Sequence, residues 1–164
     1  MTVTSVVPDR ESATLTLTAE YRASVDQVWR LWADPRLLER WWGPPTYPAT
    51  VREHDLTPGG RVAYAMTGPE GDTHGGWWRV TAVDAPRGLE FDDGFGEGDG
   101  DGDLPVTRTR VDIADAGDGR TRMTITSTFP SPEAMDQVLA MGLQEGLTAA
   151  VGQTDDLLAA GARS

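Results

Sequence analysis

Apolar and polar residues alternate in several short stretches of this chain, which is typical of half-buried β-strands. In residues 12–21, Leu15, Leu17 and Ala19 point to one face and the intervening threonines to the other. The same alternation, bounded by turns, recurs at residues 47–56, 61–67, 74–83, 89–91, 106–114 and 120–129. Because sequential strands with short turns pair as hairpins, the pattern predicts a curved antiparallel sheet of six to seven strands. Residues 1–11 are interpreted as a flexible N-terminus.

The segment after the first predicted strand has helical spacing and is rich in tryptophan. Ser24 followed by Gln27 is the pattern of a capping box, which begins a first short helix. Asp34-Pro35 ends this helix, because the residue before a proline is pushed out of the helical region, and Pro35 begins a second helix. Four tryptophans lie within residues 28–44, namely Trp29, Trp32, Trp41 and Trp42. They are interpreted mainly as packing between these helices and the sheet, with Trp42 at a pocket mouth.

The C-terminal residues 131–160 have the spacing of one long amphipathic helix. Serine, proline and glutamate at residues 131–133 are typical of a helix start. The apolar side of this helix must cover the sheet, so the sequence predicts a single α+β domain over residues 1–164. Gly142 and Gly146 each cost about 1 kcal/mol relative to alanine inside a helix. They indicate either a close crossing over the sheet or space left for another molecule.

Composition narrows the classes of partner. The chain has 14 basic residues, all of them arginine, and 26 acidic residues, for a net charge of -12. Nucleic acids and anionic membrane surfaces need a basic footprint, so neither is expected as a partner. The absence of cysteine excludes disulfides, a thiolate nucleophile and cysteine-based metal sites. A cytoplasmic protein is expected, because neither a signal-peptide pattern nor a membrane-spanning apolar stretch is found.

No catalytic or metal-binding motif is recognisable. His54 and His74 are the only histidines, and both are interpreted as structural or surface residues. Residues 99–103 imitate the start of a calcium loop, but the required turn glycine and the final glutamate are missing. Residues 92–105, rich in glycine and aspartate, are therefore interpreted as a solvated loop. No metal and no cofactor are expected.

Short motifs spread over nearly the whole chain carry a family resemblance. They are Trp32, Asp34-Pro35, Leu38, Trp41-Trp42-Gly43-Pro44, Asp55-Leu56, Pro58-Gly59-Gly60-Arg61, Pro86 with Leu89, Glu145-Gly146 and Gln153. With these motifs the chain resembles the bacterial proteins related to the activator of Hsp90 ATPase, within the Bet v 1/START-like helix-grip superfamily. The resemblance implies two short helices after the first strand and one long C-terminal helix held by the sheet. Many such domains hold a small hydrophobic ligand in a cavity between the sheet and this helix. A chaperone role is not implied, since the larger eukaryotic co-chaperone has a further domain.

The leading hypothesis is a binding module for a small hydrophobic ligand in that cavity. An apolar pocket with a few polar groups is the usual form of a small-molecule site. The candidate lining residues, which alternatively form ordinary core, are Trp42, Tyr64, Met66, Trp78, Phe91, Met141 and Leu143.

Two alternatives stay open. One is an enzyme of the cyclase or hydrolase kind that uses the same cavity, with Tyr64, His54 or Glu53 as acid or base. It requires an ionisable group that points into the cavity and has a perturbed pKa. The other is a protein-interaction module, either a homodimer or a chaperone-associated partner, which an exposed apolar patch would mark.

Overall fold

The computed structural model of the protein describes residues 3–43, 46–95, 106–140, 142–154 and 157–158. These residues form eight strands and four helices. In chain order they are β1 (Val3–Asp9), β2 (Thr14–Tyr21), α1 (Val25–Ala33), α2 (Pro35–Trp41), β3 (Ala49–His54), β4 (Arg61–Thr67), β5 (Thr73–Asp84), β6 (Gly88–Phe95), β7 (Thr107–Gly117), β8 (Arg120–Thr128), α3 (Pro132–Ala140) and α4 (Leu143–Gly152). The result is an α+β fold with an open antiparallel sheet, consistent with a helix-grip fold.

The strands form one sheet in the order β1-β2-β8-β7-β6-β5-β4-β3. All seven strands predicted from the alternation are present, as β2 to β8, with shifted ends. In β2 and β7 buried residues alternate with partly or fully exposed ones, because one face of the sheet packs on the core and the other faces solvent. Pairing of Leu17 with Ile125 and of the residues around them joins β2 to β8, at the opposite end of the chain.

The predicted strand count of six to seven is wrong, because an eighth strand, β1, lies at the sheet edge. Residues interpreted as a flexible start pair with β2 instead, for example Val6 with Leu17 and Asp9 with Thr14. Only Val3 and Val6 of β1 are partly buried, so its sequence carries almost no alternation. Sequence periodicity therefore gives no sign of this strand.

α1 and α2 form as predicted. Ser24 caps α1 in a complete capping box, and Asp34 ends the helix. The Asp34 side chain then accepts a hydrogen bond from the backbone N–H of Arg36 at the start of α2. The indole N–H of Trp41 donates to the carbonyl of Leu31 at 2.9 Å, which joins the two helices.

The single long helix predicted for residues 131–160 is wrong. α3 ends at Ala140, and Gly142 has a φ of 93° before α4 begins. This left-handed conformation favours glycine, which has no Cβ to clash. The helices also cover different parts of the core. Met135 and Val138 of α3 pack on one cluster, with Phe129, whereas α4 contributes to the main core.

Gly146 lies inside α4, and we expect its replacement by alanine to stabilise the protein. A Cβ at this position meets no heavy atom of the described residues within 4 Å. This observation argues against a close crossing and favours open space beside the helix. Gly146→Ala should raise the free energy of unfolding by about 1 kcal/mol, measured by urea denaturation.

Gly142→Ala serves as the contrast to this prediction. Alanine is strained at a φ of 93°, so this variant should be destabilised. A loss of stability in Gly146→Ala would mean that the space beside α4 is filled.

Candidate functional site

Six aromatic side chains pack together on the inner face of the sheet and form what we call the aromatic cluster. They are Trp32 of α1, Trp41 of α2, Trp42 at the end of α2, Tyr64 of β4, Trp78 of β5 and Phe91 of β6. Trp78 and Phe91 stack with ring centroids 4.0 Å apart, and Trp42 meets Trp78 edge-on at 4.8 Å. Such pairs add stability beyond the burial of their area.

Strand register explains why these rings share a face. Val62 lies opposite Trp78, and Val80 opposite Phe91, so alternate residues of β4, β5 and β6 point inward. The Tyr64 ring lies over Gly76 of the adjacent strand, where any Cβ would collide with it. The missing side chain of Gly76 therefore makes room for Tyr64.

The structure brings together four of the seven predicted lining residues. Trp42, Tyr64, Trp78 and Phe91 belong to the aromatic cluster, and their exposed fractions are 9%, 7%, 0% and 0%. Met66 is partly buried and packs against the same core. Met141 and the side chain of Leu143 lie outside the described part of the structure.

The aromatic cluster contains one hydroxyl group, that of Tyr64. Its hydroxyl donates a hydrogen bond to Oδ1 of Asp93 at a donor–acceptor distance of 3.5 Å. The indole N–H groups of Trp42 and Trp78 are buried and have no hydrogen-bond partner within the described ranges. Both N–H groups lie close enough to the Tyr64 oxygen to oppose the rise in the pKa of Tyr64, although neither reaches hydrogen-bonding geometry. A buried N–H without an acceptor costs about 1–3 kcal/mol.

Asp93 is the ionisable residue that contacts the Tyr64 hydroxyl. It is half-buried and lies opposite Trp78 of β5 and Thr107 of β7. Burial raises the pKa of Asp93 to about 7, against the smaller opposing effect of the Tyr64 hydrogen bond. Burial, followed by the charge of Asp93, likewise raises the pKa of Tyr64 well above its ordinary value. Near neutral pH Asp93 is therefore present as both acid and carboxylate.

Asp93 is not among the candidate residues predicted from the sequence. The interpretation of residues 92–105 as a loop is wrong for residues 92–95. Those residues extend β6 and pair with β5, and Asp92 and Asp93 also pair with β7. The alternation that places Phe91 inward continues to Asp93, and this was the available signal. The glycine and aspartate content of the segment masked it. The calcium-like residues 99–103 lie outside the described residues.

Hydroxyl groups continue the polar part of the inner face beyond Asp93. Thr107 lies opposite Asp93, Thr109 opposite Phe91, and Ser127 opposite Thr109. All three hydroxyl residues are buried. The inner face thus changes from aromatic on β4 to β6 to partly hydroxyl-bearing on β7 and β8.

The other acid–base candidates have different surroundings. Nε2 of His54 donates to the backbone carbonyl of Trp32 at 2.9 Å and ties β3 to α1. Glu53 is exposed at a bulge in β3. His74 is exposed and lies 3.0 Å from the Asp72 carboxylate. Of Tyr64, His54, Glu53 and His74, Tyr64 is thus the one in contact with a half-buried carboxyl.

Two further features, a metal-ligand cluster and a membrane-spanning helix, are absent from the described residues. No cluster of three or more histidine, cysteine, aspartate or glutamate side chains in these ranges has the arrangement of a metal site. No helix within them has both the length and the apolar character needed to span a membrane.

Comparisons with known proteins give matches to one family and to solved structures. The model of the family described as "Activator of Hsp90 ATPase homolog 1-like protein" matches residues 22–159. The crystal structure of protein Ms6760 from Mycobacterium smegmatis is 49% identical, with a TM-score of 0.87, and the match covers 95% of this chain and 96% of that one. A solution structure from Arthrobacter aurescens is 48% identical, with a TM-score of 0.92 and coverages of 96% and 92%. A crystal structure from Rhodobacter sphaeroides is 25% identical, with a TM-score of 0.81 and coverages of 95% and 98%. A search of curated proteins gives no match.

Proposed function

This chain belongs to the family of activator of Hsp90 ATPase homolog 1-like proteins, and from that premise we propose that its interior binds a small, largely apolar molecule. The observation that carries the proposal is the aromatic cluster with one polar group inside it. Aromatic walls with a few polar side chains are the usual composition of small-molecule sites. Members of the family are often ligand-binding or polyketide cyclase-like.

Helix α4 supports the proposal from the other side of the interior. Ala150 and Val151 are buried in the same core as Trp78, while Leu147, nearer the start of the helix, is only partly buried. Gly146 lies one turn before Ala150 and so shares its face. The small residues along this face favour a space between α4 and the sheet, into which a ligand would fit.

We expect the neutral aromatic dye N-phenyl-1-naphthylamine to bind this interior. Its fluorescence should rise when it enters an apolar site, and titration gives the dissociation constant. Gly146→Phe should weaken binding at least about tenfold, because the new ring occupies the space beside α4. Val7→Ala, at a residue that is 55% exposed on β1, is the matched control and should bind the dye unchanged. Absence of dye binding, or equal binding by Gly146→Phe, would contradict the proposal.

A second candidate function is an enzyme of the cyclase or hydrolase kind, and Asp93 is the observation that favours it. Such an enzyme needs an ionisable interior group with a perturbed pKa, and Asp93 meets this condition. Asp93 would then be the acid or base and Tyr64 its hydrogen-bond partner, in place of His54 or Glu53. Chemical change of a bound molecule by the wild-type protein, absent in Asp93→Asn, would distinguish catalysis from binding.

The protein-interaction alternative has less support. Val7 and Val106 are the large hydrophobic residues exposed in the part of the chain that the structure describes. Two separate valines do not make a patch of the size that marks an interface.

A further inference from the structure

We infer that the interior site recognises a carbonyl oxygen on an otherwise apolar aromatic molecule, and that the carboxylic acid of Asp93 donates the hydrogen bond to this oxygen. The inference rests on the proposed function and goes beyond it by naming the ligand group and the residue that binds it.

The balance of donors and acceptors around Tyr64 is the first reason. The buried indole N–H groups of Trp42 and Trp78 lie near the Tyr64 oxygen, but no atom of the described residues accepts a hydrogen bond from either of them. The Tyr64 hydroxyl is already directed at Asp93. The unmatched groups of this interior are therefore donors. A ligand that supplied another donor would leave them unmatched, whereas an acceptor oxygen would complement them.

The protonation of Asp93 is the second reason. The residues that face it are Trp78 from β5, Thr107 from β7 and Tyr64 from β4. Only Tyr64 among these can ionise, and its raised pKa keeps it protonated over the working range. On β6 itself, the neighbouring Asp92 is paired with Arg108 at 3.0 Å.

The Asp93 carboxyl is thus without a cationic partner among the described residues, and burial favours its acid form. A bound apolar molecule would exclude more water and favour the acid further. The acid can donate a hydrogen bond, and the carboxylate cannot.

The negative net charge of the protein favours a ligand whose hydrogen-bond acceptor is uncharged. With a net charge of -12, the chain repels anions, so a ligand carboxylate or phosphate is disfavoured. A ketone or aldehyde oxygen accepts a hydrogen bond without bringing charge. The rings of Trp42 and Tyr64, which are 9% and 7% exposed, are suited to contact the aromatic body of such a molecule.

The test compares two probes of nearly equal shape, 2-acetylnaphthalene and 2-ethylnaphthalene, which differ in the carbonyl oxygen. Their dissociation constants are measured by displacement of N-phenyl-1-naphthylamine at pH 6 and pH 8.5. We expect wild-type protein to prefer the acetyl probe by about tenfold at pH 6, the size of one buried hydrogen bond. The preference should be smaller at pH 8.5, where Asp93 has lost its proton and the indole N–H groups are the donors that remain.

Two variants assign the effect to Asp93. Asp93→Asn keeps an N–H donor at every pH, so its preference for the acetyl probe should persist at pH 8.5. Asp93→Leu has no titrating donor at this position, so its preference should be smaller than that of the wild type at pH 6 and the same at both pH values. Equal affinities of both probes for the wild type, or a wild-type preference that does not fall between pH 6 and pH 8.5, would overturn the inference while leaving the proposed binding function intact. If neither probe binds and the dye does not bind, the proposed function fails as well.

Discussion

Replacing Trp32 by alanine is expected to lower the free energy of unfolding by about 3–5 kcal/mol, the range for a fully buried tryptophan. The side chain is 0% exposed. Its ring lies 4.9–6.3 Å from those of Trp41, Trp42, Trp78 and Phe91. Its N–H donates to the Met123 sulfur at 3.2 Å, which connects α1 to β8. Truncation removes all these contacts at once, and urea denaturation measures the loss.

Trp29→Ala is the matched control for this prediction. Trp29 lies on the same helix but is only partly buried, at the margin of the core. Its truncation removes less buried area and should cost clearly less than that of Trp32. A loss below about 1 kcal/mol for Trp32→Ala, or equal losses for both variants, would show that the core does not depend on Trp32.

Seven of the eight strands could be predicted because each has apolar residues at alternate positions of its own sequence. In β2 every second side chain is buried, so the sequence itself carries the period of the strand. β1 lacks this signal, since it is an edge strand with one partner strand and few buried side chains. β1 is formed by its backbone hydrogen bonds to β2. The spacing of apolar residues within β1 gives no information about this pairing.

The helix break at Gly142 could not be located from periodicity for a related reason. Apolar spacing continues through residues 131–160, and a glycine is tolerated inside a helix at a moderate cost. The chain turns there because α3 and α4 pack on different clusters of the core. The cluster that each helix covers depends on tertiary packing, so it cannot be predicted from the apolar spacing of the sequence.

The alternation of residues within each strand predicts that Tyr64, Trp78 and Phe91 lie on the inner face of the sheet. It does not predict the polar part of the candidate site. Tyr64 and Trp78 were placed inward by alternation within their own strands. The meeting of Asp93 with Tyr64 and Trp78 depends on the register between β4, β5 and β6, and the position of Trp42 depends on the packing of α2. Register is fixed by long-range pairing, so the sequence alone does not show that the Asp93 carboxyl contacts Tyr64 of the aromatic cluster.

Replacing Asp93 by asparagine is expected to stabilise the protein at alkaline pH by up to about 4 kcal/mol. The pKa of Asp93 rises from 3.8 to about 7 on folding. Because the folded value is the higher one, the acid form contributes stability that is fully present below pH 3.8. This stability is lost as the pH rises to about 7, since folding then requires either proton uptake or a buried charge. Asparagine is neutral throughout and avoids this loss.

The measurement is urea denaturation of the wild type and Asp93→Asn at intervals from pH 4 to pH 8.5. The stability difference between the two should be small at pH 4, grow up to pH 7 and stay constant above it. Asp92→Asn is the control, because Asp92 is the neighbouring carboxylate on β6 and is ion-paired with Arg108. Loss of such a partly exposed pair should change stability by less than about 1 kcal/mol, with no gain towards alkaline pH. A difference between wild type and Asp93→Asn that stays flat from pH 4 to pH 8.5 would show that Asp93 does not take up a proton on folding. It would also remove the basis for Asp93 as the pH-dependent donor to a ligand carbonyl.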